Sequence, residues 1–77
     1  MKKKRRSSTR FVVCIRNDGY PESLELRKLY RVLPDSQAEM VGHVRVIDES
    51  GEDYVYPKGF FAQVQLSDPV KRTLVSA

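Results

Sequence analysis

The stretch that decides the fold is VRVIDESGEDYVYPKGFF, residues 44–61. Its two ends are rich in β-branched and aromatic residues, as in short strands, and the first strand is predicted over His43 to Ile47. The acidic turn between them contains Gly51, which supplies the positive φ that a tight hairpin needs. Pro57 cannot donate to a strand ladder, so the second strand ends there, and an aromatic pair follows. This order of parts predicts a small β-barrel.

A further strand is predicted near the N-terminus. Residues 11–15, FVVCI, are apolar on both faces, as in a strand that is covered on both sides or lines a closed barrel. The run NDGYP at 17–21 ends it, because Asn and Asp bond back to the backbone and Gly accepts positive φ. Within the strand, Cys14 is expected to be a small core residue rather than a reactive thiol.

Residues 23–33 fit two kinds of element. Leu26, Leu29, Tyr30 and Leu33 recur at helical spacing. Residue propensities also favour a helix, which Pro34 would end. The neighbouring elements are short strands at close spacing, and this context favours a strand over about 27–33. We therefore expect a strand, with the helix as the alternative.

The remaining segments are short. The loop 35–42 can hold one helical turn, capped by Asp35 or Ser36 and ended by Gly42. A final short strand, AQVQL, is predicted at 62–66, with its apolar residues on one face. The C-terminal tail, 67–77, is expected to be frayed.

Five short strands, a long first loop and a hairpin that ends at an aromatic corner resemble the SH3-like small barrel. In that pattern the fourth strand ends in an aliphatic residue and a Pro, with an aromatic residue three positions later. Tyr56-Pro57 followed by Phe60 is similar in spacing. The segments IRNDGY (15–20) and VIDESGEDY (46–54) also resemble a family of short bacterial proteins of uncharacterised function. The resemblance implies an all-β fold, a five-stranded SH3-like barrel over residues 11–66.

Charge is distributed unevenly along the chain. The formal net charge is +4, and residues 1–10 hold six of the 14 basic residues and none of the ten acidic ones. The rest of the chain therefore has eight basic and ten acidic residues, a formal charge of −2. Residues 1–10 are expected to be a disordered basic arm, because after Met1 they lack apolar side chains that could offset the entropy of ordering.

The arm suggests one hypothesis about function, and its basic residues also have two alternative explanations. Its consecutive basic residues could contact phosphates of nucleic acid or an anionic lipid surface. These residues are Lys2, Lys3, Lys4, Arg5 and Arg6. The alternatives are a solvated tail that aids solubility and an incorrectly assigned start.

Composition limits the expected cellular location and the kinds of metal or catalytic site. No apolar run is long enough for a membrane span, and a single cysteine fits a reducing compartment, so we expect a cytoplasmic protein. One His and one Cys cannot supply a structural zinc site. The acidic cluster at 48–53 lacks the spacing of a calcium loop and is expected to be a solvated hairpin tip. No phosphate loop, dinucleotide fingerprint or nucleophile elbow is present, so no catalytic residue, metal or cofactor is predicted and enzyme activity is not expected.

Aromatic residues are the remaining candidates for a binding site. Tyr20, Tyr56 and Phe60 are predicted to line a shallow groove between the first loop and the aromatic corner, where an unidentified protein or peptide would bind. The alternative is that Tyr56 and Phe60 belong partly to the core. SH3 domains bind proline-rich ligands in a groove walled by Trp. This chain has no Trp, so ordinary polyproline recognition is not expected.

Two functions from different classes therefore remain. The first is a small non-enzymatic protein-interaction module that uses the aromatic groove. The second is a nucleic-acid-associated protein in which the arm supplies non-specific affinity. Four basic residues of the body discriminate between them, since a nucleic-acid face requires them to lie together with Tyr30. They are Arg27, Lys28, Arg31 and Arg45.

Overall fold

The computed structural model describes residues 10–76, which form one curled antiparallel sheet with short helices at its margins. The strands are β1 (Arg10–Cys14), β2 (Leu29–Leu33), β3 (His43–Ile47), β4 (Asp53–Pro57) and β5 (Phe61–Gln63). The strand order across the sheet is β4-β3-β2-β1-β5. Helix α1 (Ser36–Met40) follows β2, a 3₁₀ turn (Lys58–Phe60) precedes β5, and helix α2 (Asp68–Ser76) ends the described part. This half-barrel confirms the all-β prediction and is compatible with an SH3-like barrel.

The β3–β4 hairpin has the predicted turn. The ladder pairs Ile47 with Asp53 and Val46 with Tyr54, and Gly51 lies in the turn with φ of +87°. The Asp48 carboxylate accepts hydrogen bonds from the backbone N–H and the hydroxyl of Ser50, at 2.9 and 2.6 Å. An acidic residue at the start of the turn therefore stabilises the backbone that Gly51 completes.

The core lies on the concave face of the sheet. Alternate residues of each strand point into it, as the period of two for strand side chains requires. Its buried residues are Val12, Cys14, Leu24, Tyr30, Val32, Val44, Val46, Tyr56, Phe60 and Phe61. Cys14 is fully buried and its thiol donates to the carbonyl of Arg16 at 3.2 Å; burial raises the pKa of this thiol. Its expected role as a small core residue is confirmed.

The segment 23–33 is a strand only in its second half. β2 begins at Leu29, and Arg27 before it has a positive φ of 66°, a conformation that neither a helix nor a strand contains. The side chain of Leu24 is fully buried in the core although its backbone belongs to the loop, whereas Leu26 is 44% exposed. The helical spacing of the leucines therefore does not correspond to a helix.

Helix α1 forms in the predicted loop. Asp35 is its N-cap, and its side chain accepts a hydrogen bond from the backbone N–H of Ala38 at 3.0 Å. Its other carboxylate oxygen binds Nε of Arg45 on β3 at 2.8 Å, so the cap also ties the helix to the sheet. Gly42, with φ of +81°, reverses the chain into β3.

The C-terminal region differs from the prediction. β5 ends at Gln63, so the expected strand at 62–66 is shorter and starts one residue earlier. The tail that was expected to be frayed contains α2. Asp68 and Pro69 occupy the first turn of this helix, where an acidic residue and the fixed φ of Pro are favourable. Neither helix within 10–76 has the length or the apolar composition needed to cross a bilayer.

Candidate functional site

Four aromatic rings, from the first loop, β4 and the 3₁₀ turn, form a continuous cluster, hereafter the aromatic cluster: Tyr20, Tyr54, Tyr56 and Phe60. The ring of Tyr20 meets that of Tyr56 edge-on, with centroids 5.0 Å apart, and lies 6.1 Å from that of Phe60. Tyr54 is 5.2 Å from Tyr56 and 6.4 Å from Tyr20. These are the tilted and edge-to-face arrangements that aromatic quadrupoles favour.

The first loop places Tyr20 over the sheet. The backbone N–H of Tyr20 donates to the carbonyl of Asn17 at 2.8 Å, and Gly19 between them has φ of +84°. The Asn17 amide donates to the carbonyl of Leu24 at 3.0 Å, and the Leu24 side chain is buried in the core. The loop is therefore closed on itself and anchored at Leu24, which fixes the position of Tyr20.

The four rings differ in exposure. Tyr56 is 1% exposed and Phe60 8%, so both belong to the core, which is the alternative that the sequence left open. Tyr20 is 37% exposed and Tyr54 is 51% exposed. The structure thus brings the predicted residues Tyr20, Tyr56 and Phe60 together, and only Tyr20 of the three presents surface to solvent.

Tyr54 was not among the predicted site residues. It lies two residues before Tyr56 on β4, and residues at that spacing point to the same face of a strand. The sequence therefore contained the signal that could have added Tyr54 to the cluster.

The hydroxyl of the buried Tyr56 forms a hydrogen bond. It donates to the Asp48 carboxylate at 2.6 Å. Burial, together with this bond to a carboxylate, raises the pKa of Tyr56 to about 12. Burial alone would raise the pKa of Asp48, but hydrogen bonds from Ser50 and Tyr56 outweigh it, so that the pKa of Asp48 lies below its ordinary value. Tyr56 is thus held as a neutral donor to an ionised acceptor.

A second buried tyrosine reaches the same turn. The Tyr30 hydroxyl donates to Glu49 and accepts from the backbone N–H of Glu25, while Lys28 forms an ion pair with Glu49 at 2.7 Å. Hydrogen bonds from Lys28 and Tyr30 hold the pKa of Glu49 below its ordinary value. Asp48 and Glu49 therefore fasten the hairpin turn to the core, and the acidic tip is only partly the solvated feature that the sequence predicted.

The four basic residues that discriminate between the two functions do not form one face. Lys28 lies 5.8 Å from the Tyr30 ring, but that ring is buried and the ammonium group is paired with Glu49. Arg45 alternates with buried valines on β3, which places it on the convex face. There it binds Asp35 and Asp53, at 2.8 and 2.7 Å.

The other two basic residues are also apart from the Tyr30 ring. Arg31 follows Tyr30 on β2 and so points to the opposite face. Arg27 is exposed in the loop before β2. These four basic residues therefore do not share one face with the Tyr30 ring. The arm residues Lys2, Lys3, Lys4, Arg5 and Arg6 lie outside the described residues.

Within residues 10–76, no three side chains of His, Cys, Asp or Glu are grouped as a metal site would require. In the hairpin, the Asp48 and Glu49 carboxylates are already occupied by Ser50, Tyr30 and Lys28.

Comparisons with known proteins add no identification. No protein-family profile matches the chain, and no match was found among curated proteins or solved structures. Function must therefore be argued from the residues themselves.

Proposed function

We propose that this protein is a small non-enzymatic protein-interaction module, built on an SH3-like barrel, and that the aromatic cluster is its binding surface. The observation that carries the proposal is the contrast in exposure between the two pairs of rings. Tyr20 and Tyr54 are open to solvent, whereas Tyr56 and Phe60 beneath them are fixed in the core. The partner would be a protein or peptide in the cytoplasm, and kinship with short bacterial proteins forms part of the same proposal.

The physical argument is that a supported tyrosine binds at low entropic cost. Tyrosine has a large apolar ring with a polar hydroxyl, and few rotatable bonds are lost when it is immobilised. Here the rings of Tyr20 and Tyr54 already contact Tyr56, which restricts them before any partner arrives. Tyrosine is enriched among the residues that dominate binding energy at protein interfaces.

The charged groups around the cluster restrict the kind of partner. Arg16 lies over the Phe60 ring, 5.9 Å from its centroid, and forms an ion pair with Asp18. Asp18 and Glu22 flank Tyr20 in the sequence, and Glu52 precedes Tyr54 by two residues. Acidic residues around exposed rings favour a peptide that has basic as well as apolar side chains.

The test is affinity capture from a lysate with quantitative comparison of variants. We expect the double variant Tyr20→Ala/Tyr54→Ala to lose the specific partner. A matched control is Met40→Ala/Val41→Ala, which removes two side chains that are 83% and 70% exposed around the end of α1. Equal capture by the wild type and the tyrosine variant would refute the aromatic surface. Nuclease treatment of the lysate identifies proteins that are captured only through nucleic acid.

The second candidate, a nucleic-acid-associated protein, is supported by the charge of the arm alone. The body has a formal charge of −2, and its Lys28 and Arg45 are paired with carboxylates. Nucleic acid would then be bound non-specifically through phosphate contacts. Binding that survives removal of the arm would argue against this form of the candidate.

A further inference from the structure

One margin of the sheet is an open strand edge. β4 pairs with β3 on one side and has no neighbouring strand on the other within residues 10–76. An unpaired edge presents backbone N–H and C=O groups that can pair with another chain. Which residues of β4 present these groups follows from the hydrogen bonds at the two ends of the hairpin.

At the turn, the N–H of Asp48 donates to the carbonyl of Glu52 at 3.0 Å. At the other end, the N–H of Lys58 donates to the carbonyl of Gly42 at 2.9 Å. Hydrogen-bonded and non-hydrogen-bonded pairs alternate along an antiparallel ladder. The even-numbered residues of β4 therefore bond to β3, and the odd-numbered residues direct their backbone groups to the open side.

The outward residues are Asp53, Val55 and Pro57. Asp53 and Val55 form no backbone hydrogen bond on the open side within residues 10–76. Pro57 lacks an N–H, but it stands where the ladder with β3 needs none, and as the N-cap of the 3₁₀ turn its carbonyl accepts the first hydrogen bond of that turn. The edge thus offers two donors and two free acceptors, all on Asp53 and Val55.

We propose that a second copy of this chain pairs with this edge, antiparallel and across a two-fold axis centred on Val55. In this register Val55 exchanges two hydrogen bonds with the partner's Val55, and the N–H of Asp53 faces the carbonyl of the partner's Pro57, which has a second lone pair to accept it. The arrangement is isologous, so every contact occurs twice. The two sheets then continue as one sheet of ten strands.

Charge complementarity favours this register. With Val55 on the axis, Glu52 lies directly opposite the partner's Lys58, and the reciprocal pair lies at the other end. Both residues are exposed, and neither side chain has an ion-pair partner within residues 10–76. Moving the axis by one residue, to Tyr54, would still pair outward residues, Asp53 with the partner's Val55, but it would set Glu52 against the partner's Tyr56 and no charge pair would form. A second copy therefore matches the edge in charge as well as in hydrogen bonding.

The proposal does not rest on the proposed function, because it uses the backbone groups of β4, although Tyr54 of the aromatic cluster lies on the same strand. Dimerisation is measured by analytical ultracentrifugation of the purified full chain at low salt, over micromolar to millimolar concentration. We expect the wild type to pass from monomer to dimer within that range. A mass that stays monomeric up to millimolar concentration would overturn the proposal.

Charge exchange tests the register. Glu52→Lys alone sets two lysines opposite each other, and Lys58→Glu alone does the same with two carboxylates. Each should raise the dimer Kd by about tenfold or more, since two pairs change sign. The double variant restores both pairs and should recover dimerisation. Glu25→Lys is the control, because it makes the same change of net charge at an exposed residue whose backbone N–H bonds Tyr30 on β2 and not β4. A double variant as weak as the single variants would refute the register.

A backbone variant tests the edge itself. Val55→Pro removes an N–H that faces away from β3, so the internal ladder is kept while the two central hydrogen bonds of the dimer are lost. We expect a folded monomer, with circular dichroism like that of the wild type. A folded Val55→Pro variant that still dimerises would place the interface elsewhere. Glu52→Lys serves as the second test if this variant does not fold.

Discussion

Gly51 provides a test in which backbone conformation is the only variable. Its φ is +87°, and a Cβ built on it would meet no heavy atom within 4 Å. Replacing Gly51 with Ala therefore creates no clash, and its N–H can still donate to the carbonyl of Asp48 at 2.9 Å. Any loss of stability must come from holding a residue with a Cβ at positive φ.

The magnitude follows from two opposing terms. An L-residue held at positive φ costs about 1–2 kcal/mol. Replacing Gly also reduces the entropy of the unfolded chain, which returns about 0.4–1 kcal/mol. We expect Gly51→Ala to lose about 1 kcal/mol of unfolding free energy, and Gly51→Val to lose more because a β-branched residue tolerates this region poorly. In a domain of this size, 1 kcal/mol corresponds to a decrease in Tm of about 4–8 °C.

Gly59 is the matched control. It too has no atom within 4 Å of an added Cβ, but its φ is not positive. Gly59→Ala should therefore leave Tm unchanged or raise it slightly, through the same unfolded-state term. Thermal unfolding followed by circular dichroism compares the two variants directly. Equal melting temperatures for Gly51→Ala and Gly59→Ala would show that positive φ at Gly51 is not a constraint on this fold.

Three further predictions concern hydrogen bonds and the arm. Because Tyr56 has its pKa raised to about 12 while an unfolded tyrosine titrates near pH 10, its contribution is fully present below pH 10 and is lost between pH 10 and 12. Tyr56→Phe should be about 1 kcal/mol less stable at pH 7, and its stability should fall less over that alkaline interval in denaturant titrations. Asp35→Ala should lose about 1 kcal/mol through the cap of α1, whereas Asp35→Asn keeps the cap and should lose less; equal losses would assign the effect to the Arg45 ion pair. Any binding of labelled DNA in fluorescence anisotropy should be abolished by removing residues 2–9, which spares β1, and its affinity should fall with salt by a slope of up to about 0.9 per phosphate contacted.

Local patterns predicted the parts of the fold that local chemistry controls. The strand His43–Ile47, the positive φ of Gly51 and the cap at Asp35 all occur as expected. Each is determined by residues within a few positions, such as a β-branched run or a carboxylate placed before a helical turn.

The structure differs from the expectations where burial and helix formation depend on more than the nearest residues in the sequence. Leu24 and Leu26 both have apolar side chains near the start of the ambiguous segment, yet one is fully buried and the other is 44% exposed. The difference follows from the closed loop, which is fixed by Asn17 seven residues before Leu24. Helix α2 was missed because a chain terminus was expected to fray, although Pro69 in the first turn after Asp68 favours a helix start.

The aromatic cluster shows the same limit. The sequence predicted that Tyr20 would meet Tyr56 and Phe60, and the rings do meet. It did not determine which rings would stay exposed, because exposure depends on how far the first loop covers the sheet. The first loop leaves Tyr54 exposed, whereas Tyr56, two residues later on the same strand, is buried.

The reactivity of Cys14 can measure how often the sheet opens around it. This residue is the only cysteine in the sequence, and it lies fully buried on β1, between β2 and β5. A thiol reagent can reach its Sγ atom only after the strands around it have separated. The labelling rate in native buffer, divided by the rate for an unfolded thiol, therefore measures the free energy of that separation. No probe needs to be introduced, so every variant proposed above can be compared by the same reaction.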